Sequence, residues 1–197
     1  MTDDKTIAAY NAQVHHYLKM VSELDVDPIL LRFIDQFKAG DYVLDLGCGP
    51  GISSAVMQGK GLRVDPIDAA EAMVQIANDK FNISARQAQF SDIDSVNIYH
   101  GVWANFSLLH AQPQDFVAIL FSLHQALKPQ GLLHLAMKLG QGSKRDKYER
   151  YYAYYSQIEL ETYLNNAGFG IVDTTLGESL GMAGETEPWM AVTGFTK

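Results

Sequence analysis

Apolar and polar positions along this chain keep two rhythms, one helical and one extended, which alternate from end to end. Between residues 4 and 24 the apolar positions Ile7, Tyr10, Val14, Tyr17, Leu18 and Val21 recur every three or four places, which predicts an amphipathic helix. Asp27-Pro28 predicts a second helix, an aspartate cap followed by proline at the first position, with Ile29, Phe33 and Phe37 as its buried stripe and Ala39-Gly40 as its end. Tyr42 to Leu46 then forms a short apolar run broken only by Asp45, and predicts a buried strand. Further strands are expected at Leu62 to Ile67, at Ile83, Ala85 and Gln87, at Tyr99 to Asn105 and at Leu132 to Met137. Helical spacing fills the gaps, from Ile52 to Gly59 and from Pro113 to Ala126, the latter with Phe116, Ile119, Leu120 and Leu123 on one face. Ser156-Gln157-Ile158-Glu159 is a capping box that opens a last helix. Phe169 to Glu178 and Trp189 to Thr196 read as terminal strands around the turn Gly181-Met182-Ala183-Gly184. Strands alternating with helices predict a mainly parallel sheet covered on both faces.

Most of the chemistry falls where the first strand meets its helix. Gly47, Gly49 and Gly51 follow the strand directly, and without a Cβ they let a ligand lie against the backbone. The first amides of the following helix are expected to face that ligand. Strand, glycine turn and helix together bind nucleotide-like molecules at the carboxyl ends of strands. A dinucleotide fingerprint needs a small residue where this chain has Ile52, and a phosphate loop needs a Gly-Lys-Ser/Thr ending that is absent. Asp45 sits two residues before the first glycine; a carboxylate there would repel a pyrophosphate and suits a ligand with ammonium and sulfonium charges. Val43-Leu44-Asp45-Leu46-Gly47-Cys48-Gly49-Pro50-Gly51 is similar at every position to the first motif of the class I S-adenosylmethionine-dependent methyltransferases. The chain resembles that family.

The resemblance implies a set of site residues. Asp45, Gly47, Cys48, Gly49 and Gly51 would hold the amino-acid end of the cofactor. An acid ending the second strand can accept both ribose hydroxyls, and Asp65 and Asp68 compete for that place. Asp68 lies 17 residues past Gly51, near the usual spacing of ~20. Its sequel Ala69-Ala70-Glu71-Ala72-Met73-Val74 matches the family's acid, spacer, methionine, aliphatic pattern, so Ala69 and Met73 join it. The family usually places an acid at the position of Gln89 for the adenine amino group. Here the residue is neutral, leaving Gln89 as a single acceptor beside Phe90, or Asp92 in the acidic role. Tyr99 to Asn105 followed by Phe106-Ser107-Leu108-Leu109-His110 is similar to a subgroup whose strand ends in a Leu-Leu-His turn. Ala104 would let the methionine part pass and Asn105 would bond it. His110 is either a general base near the methyl acceptor or a hydrogen-bonded structural residue. Tyrosines on the N-terminal segment either fold over the cofactor as a lid, Tyr17 ahead of Tyr10, with a cation–π contact to the sulfonium, or pack their helix on the core. Leu127-Lys128-Pro129-Gln130-Gly131 resembles the family's Leu-Lys-Pro-Gly-Gly turn, with Gln130 in place of a glycine.

The polar run Gln141 to Arg150 predicts a mobile active-site flap. Lys138, Tyr152 and Tyr155 beside it would line the acceptor pocket, or be solvated and packing residues. At 197 residues and net charge −8 the chain suits one domain and lacks the basic surface that nucleic acid requires. No signal peptide or membrane-spanning run is legible, and the single cysteine, Cys48, suits a reducing compartment, so a cytoplasmic location is expected. His15, His16, His100, His124 and His134 show no metal-ligand spacing. The expectation is one α/β domain over residues 1–197: a three-layer Rossmann-like fold with a seven-stranded, mostly parallel sheet, an antiparallel last strand and helices on both faces. Residues 1–40 would be a helical lid, and 140–155 a flap on the 41–197 core. The expected function is methyl transfer from S-adenosylmethionine, leaving S-adenosylhomocysteine, to a small-molecule acceptor with no nucleic acid or membrane partner. A non-catalytic S-adenosylmethionine-binding protein and a nicotinamide-dependent oxidoreductase are the alternatives.

Overall fold

The computed structural model describes residues 3–22 and 25–197. Helix α1 runs Asp4–Ser22, and residues 23 and 24 of the expected helix lie outside the described residues. Helix α2 (Pro28–Ile34) opens on the expected cap, Ile29 N donating to Asp27 Oδ1 at 2.8 Å. It ends sooner than the pattern indicates. Its buried stripe is Leu30, Phe33 and Ile34, and Phe37 beyond its end rests edge-on against Phe33 at 4.9 Å.

The main sheet has seven strands in the order β3-β2-β1-β4-β5-β9-β8. Strands β1 (Tyr42–Leu46), β2 (Arg63–Asp68), β3 (Arg86–Gln87), β4 (Tyr99–Asn105) and β5 (Leu127–Lys138) are parallel. The last strand, β9 (Thr186–Thr196), is antiparallel to both its neighbours, β5 and β8 (Phe169–Leu180). The expected fold is therefore the observed one. Pleating sorts the side chains into two layers. Val43 and Trp103 pack with Leu30, Phe33 and Ile34 of α2 and Met57 of α3 (Ile52–Gly59). Leu44, Leu46, Val102 and Ala104 face the opposite layer, with Phe116, Leu120 and Leu123 of α5 (Pro113–Ala126) and Leu160 and Leu164 of α6 (Gln157–Asn166). Helix α4 (Glu71–Phe81) follows β2 and carries α1 across its outer side through Met73, Val14, Tyr10 and Tyr17.

Three local expectations need correction. The third strand is two residues long, because the Asn78 side chain takes both the N–H (2.6 Å) and the carbonyl (2.9 Å) of Ala85 and leaves neither for a neighbouring strand. The 140–155 segment is a built hairpin, β6 (Ser143–Arg145) paired antiparallel with β7 (Tyr151–Ala153), and it is strapped to α1 by Arg145–Asp3 and Lys5–Glu149 ion pairs. The turn at Leu127–Gly131 is absorbed into β5, where the pairing with β4 shifts register. Gln130 there adopts φ +62°, the left-handed conformation natural to the glycine it replaces. Gln130→Gly should therefore raise stability by up to about 1 kcal/mol in urea unfolding, relief of the left-handed strain exceeding the added chain entropy. A lower stability would show that the 3.3 Å bond from Gln130 Nε2 to Thr196 O matters more.

Candidate functional site

In a sheet of this order the strand order reverses between the parallel strands β1 and β4, and ligands bind in the crevice above such a point. A cavity partly open to solvent lies there. Its floor is Leu46, Gly47 and Gly49 after β1, Asp68 to Ala70 after β2, and Asn105 to Ser107 after β4. Ala88 and Phe90 form one side, Met73 another, and Thr6, Ile7, Tyr10 and Tyr17 of α1 the roof, with His110 at the far end.

Asp68 fastens the floor together. Its Oδ2 accepts from Gly49 N at 2.9 Å and its Oδ1 from Ala70 N at 2.8 Å. Burial raises the carboxyl pKa, and the amides of Ala70, Gly49 and Ala69 oppose that rise. The other competing acid, Asp65, is held below the cavity by Arg86 (2.9 and 3.0 Å) and by the Tyr99 hydroxyl. In the glycine loop Gly47 N and Cys48 N both donate to Ile67 O (2.8 and 2.9 Å), and Gly51 N donates to Cys48 O. With Gly49 N on Asp68 and Pro50 lacking a donor, every backbone donor from Gly47 to Gly51 is already taken by the protein. A Cβ on Gly47 would lie 2.5 Å from Ser107 Cβ, so this glycine lets the ends of β1 and β4 meet beneath the cavity.

The structure places several predicted residues elsewhere. Asp45 shares the pleat face of Val43, points under α3, is 2% exposed and does not line the cavity. Its Oδ2 accepts from Ser54 Oγ at 2.5 Å, and the Ser54 amide adds a second bond. The N-terminus of α3 is thus turned towards a buried acid rather than the cavity. Cys48 is buried with Ala77, Ile83 and Ala85, and Gly51 presses on α4. Ala104 is core. Gln89 and Asp92 do not line the cavity: Asp92 Oδ2 closes its own turn on Gln89 N at 2.8 Å. Lys138 pairs with Glu187 and lies over the Tyr152 ring at 4.1 Å, while Tyr155 stacks on Phe116 at 4.8 Å. Lys138, Tyr152 and Tyr155 therefore form a layer behind the cavity, not its wall.

Burial raises the Asp45 pKa to about 7, with the Asp68 charge adding and the Ser54 bonds opposing. An acid whose folded pKa lies above its unfolded value of ~3.9 binds more protons when folded, so its contribution to stability falls as pH rises from about 4 to about 7 and levels off above that. Asp45→Asn should abolish that slope, gaining a few kcal/mol relative to wild type at pH 8 but not at pH 4. Urea unfolding at both pH values checks this; parallel pH profiles for the two proteins would contradict it.

At the far end, His110 is 5% exposed. Its Nδ1 donates to Tyr151 O at 2.6 Å, because a carbonyl only accepts. That fixes the proton on Nδ1, and the bare Nε2 accepts from the Tyr10 hydroxyl at 2.7 Å. Burial, with the charges of Arg150 and Lys138, drops the His110 pKa to about 3, so the ring is neutral. Arg150 (3% exposed) donates to Tyr10 Oη at 3.1 Å and is anchored by Asp146 Oδ2 at 2.6 and 2.8 Å. Tyr151 N donates to Thr6 Oγ1 at 2.8 Å. The roof helix is thereby joined to the β6–β7 hairpin by polar contacts at both Thr6 and Tyr10.

The sequence puts Tyr17 ahead of Tyr10, and both line the cavity; seven residues apart, they share a helix face and meet edge-on at 5.7 Å. It missed Ser107, and it missed Phe106, whose φ of +55° is strained for an aromatic residue. Nothing in a Phe-Ser pair signals such a turn.

A family model described as a methyltransferase domain matches residues 43–131. The ubiquinone biosynthesis O-methyltransferase of Pseudomonas aeruginosa (strain UCBPP-PA14) is 27% identical over 145 residues, 68% of this chain and 62% of that protein. The chain therefore spans about three-fifths of the length of that curated relative. Among solved structures, the Burkholderia thailandensis 1,6-didemethyltoxoflavin-N1-methyltransferase, with 1,6-didemethyltoxoflavin and S-adenosylhomocysteine bound, superposes with a TM-score of 0.78 at 19% identity, over 98% of this chain and 88% of that one. A S-adenosylmethionine-dependent methyltransferase from Methanosarcina mazei gives 0.74 at 18% identity, over 88% and 99%. These matches support a class I S-adenosylmethionine-dependent methyltransferase, with the domain model spanning residues 43–131. The matched stretch holds the glycine loop, Asp68, Asn105 and His110, while the tyrosine roof and the hairpin lie outside it. No three His, Cys, Asp or Glu side chains among the described residues gather to hold a metal, and no helix among them is long and apolar enough to cross a membrane.

Proposed function

We propose that the cavity binds S-adenosylmethionine and that the chain moves its methyl group to a small-molecule acceptor. The observation that carries this reading is the state of the glycine loop. Its donors are spent on Ile67, Asp68 and Cys48, so no amide nest remains for a pyrophosphate, and what the floor offers instead is the Asp68 carboxylate under two tyrosine rings. That chemistry suits hydroxyls and a cation, and it disfavours the nicotinamide alternative. The residues fit the cofactor at two further points. Gly49 leaves the floor bare, with only Tyr17 Cε1 among the described residues within 4 Å of where a Cβ would stand, at 3.7 Å. Ser107 Oγ is an orphan on the floor.

Asp68 would hold the ribose, Phe90 the adenine, Gly47, Gly49 and Asn105 the amino-acid end, and Tyr17 and Tyr10 would cover the sulfonium. The cofactor supplies a methyl group already activated for displacement. The chain supplies alignment and exclusion of water, which alone account for roughly 7–11 kcal/mol of a barrier. A histidine held near pKa 3 is a weak base, so His110 serves to hold the Tyr10 hydroxyl at the acceptor end. Residues 1–197 would work as one unit, the lid and hairpin closing over the core, in a reducing cytoplasm and without nucleic acid or membrane. The small heterocycle named with the Burkholderia structure supports a small acceptor.

Incubation with methyl-tritiated S-adenosylmethionine and a panel of phenols, catechols and nitrogen heterocycles tests the reading. Acceptor-dependent transfer of label supports it. Tight cofactor binding with no transfer to any of them would favour the non-catalytic alternative.

A further inference from the structure

Behind the cavity wall His134 of β5 pairs with Trp103 of β4, and their rings stack at 3.7 Å and 14°. The imidazole is wholly buried, and burial drops its pKa to about 3, so it is a neutral ring with a single proton. His134 Nε2 lies 3.0 Å from Asn105 Oδ1, while Nδ1 is buried with no partner. An amide oxygen only accepts, so the proton sits on Nε2 and the bond runs from His134 to Asn105. The reverse arrangement, with the amide turned over and the proton on Nδ1, would strand a buried N–H, the rarer fault in folded proteins. Asn105 Oδ1 is thereby used, its Nδ2 has no partner among the described residues, and the residue lines the cavity. Two residues on, Ser107 Oγ also lines the cavity and is buried without a partner.

We infer that His134 is a positioning residue that fixes the polarity of the Asn105 amide, so that the end of β4 presents a donor, not an acceptor, to an oxygen of the ligand. Resting on the proposed cofactor, this assigns the oxygen to the carboxylate of its amino-acid end. A carboxylate on the acceptor would satisfy the same donor, and the choice of probes separates the two.

His134→Phe keeps a buried ring on Trp103 and removes the N–H; His134→Gln returns a side-chain N–H. S-adenosylhomocysteine and 5′-methylthioadenosine, which lacks the amino-acid end, are titrated against each. His134→Phe should weaken S-adenosylhomocysteine roughly tenfold, the scale of one hydrogen bond to a charged group. It should leave methylthioadenosine unchanged, and His134→Gln should recover part of the loss. Long-range proton–nitrogen spectra of the wild type should show the His134 proton on Nε2. Equal weakening of both ligands would mean a merely structural role, and wild-type affinity for both would exclude the carboxylate assignment; a proton on Nδ1 would overturn the inference outright. A wild type that binds neither nucleoside would refute the cofactor and the carboxylate assignment with it, while the tautomer would still decide the polarity of Asn105.

Discussion

Asp68→Ala is expected to weaken S-adenosylhomocysteine binding about a hundredfold. The side chain has two duties. It fastens Gly49 N and Ala70 N at 2.9 and 2.8 Å, which sets the floor of the cavity. In the proposed complex it also accepts from the ribose. Hydrogen bonds to a charged group are worth about 1.5–3 kcal/mol each, so losing the ribose contacts and loosening the loop together reach that size. Asp68→Asn keeps one acceptor oxygen and should fall between the two. Calorimetry on all three proteins reads the effect. An alanine variant within threefold of wild type would remove Asp68 from the site.

Gly51→Ala is expected to cost about 2–5 kcal/mol of folding stability. The residue sits at φ +86°, where a side chain costs about 1–2 kcal/mol. Its new methyl would stand 2.5 Å from Ile83 Cδ1 and 2.9 Å from Ala77 Cβ. Ile83 can turn, but Ala77 belongs to α4, so the helix itself must move; overpacking of this kind costs about 1–3 kcal/mol. Gly59→Ala is the control, since nothing lies within 4 Å of a Cβ at that end of α3. Urea midpoints should drop sharply for the first variant and stay level or rise for the second. Equal midpoints would mean that the third glycine is not a packing residue.

The topology of the main sheet was legible because its strands and helices announce themselves locally: Tyr42 to Leu46 by its apolar run, Asp27-Pro28 and Ser156 to Glu159 by their caps. What required the structure was contact between distant segments. The acidic residue of the first motif reads as a cavity group from its place beside the glycines, yet pleating sends Asp45 to Ser54 beneath α3. Lys138, Tyr152 and Tyr155 read as acceptor-pocket residues from their place beside the flap, and ion pairing with Glu187 and stacking on Phe116 put two of them in a second layer. Arg150 looks like part of a solvated charge run, and only the fold shows it buried against Tyr10, Tyr148 and Tyr152. The His134–Asn105 bond joins residues 29 apart that parallel pairing brings to diagonal positions on neighbouring strands, and a lone histidine in a strand gives no sign of it.

The most direct test of the central claim is a calorimetric titration of the wild-type chain with S-adenosylhomocysteine, run beside one with NAD. Saturable one-to-one binding of the first and none of the second is the expected result, since the glycine loop has no donors left for a pyrophosphate. NAD binding without S-adenosylhomocysteine binding would contradict the account, and the proposed methyl transfer would fall with it.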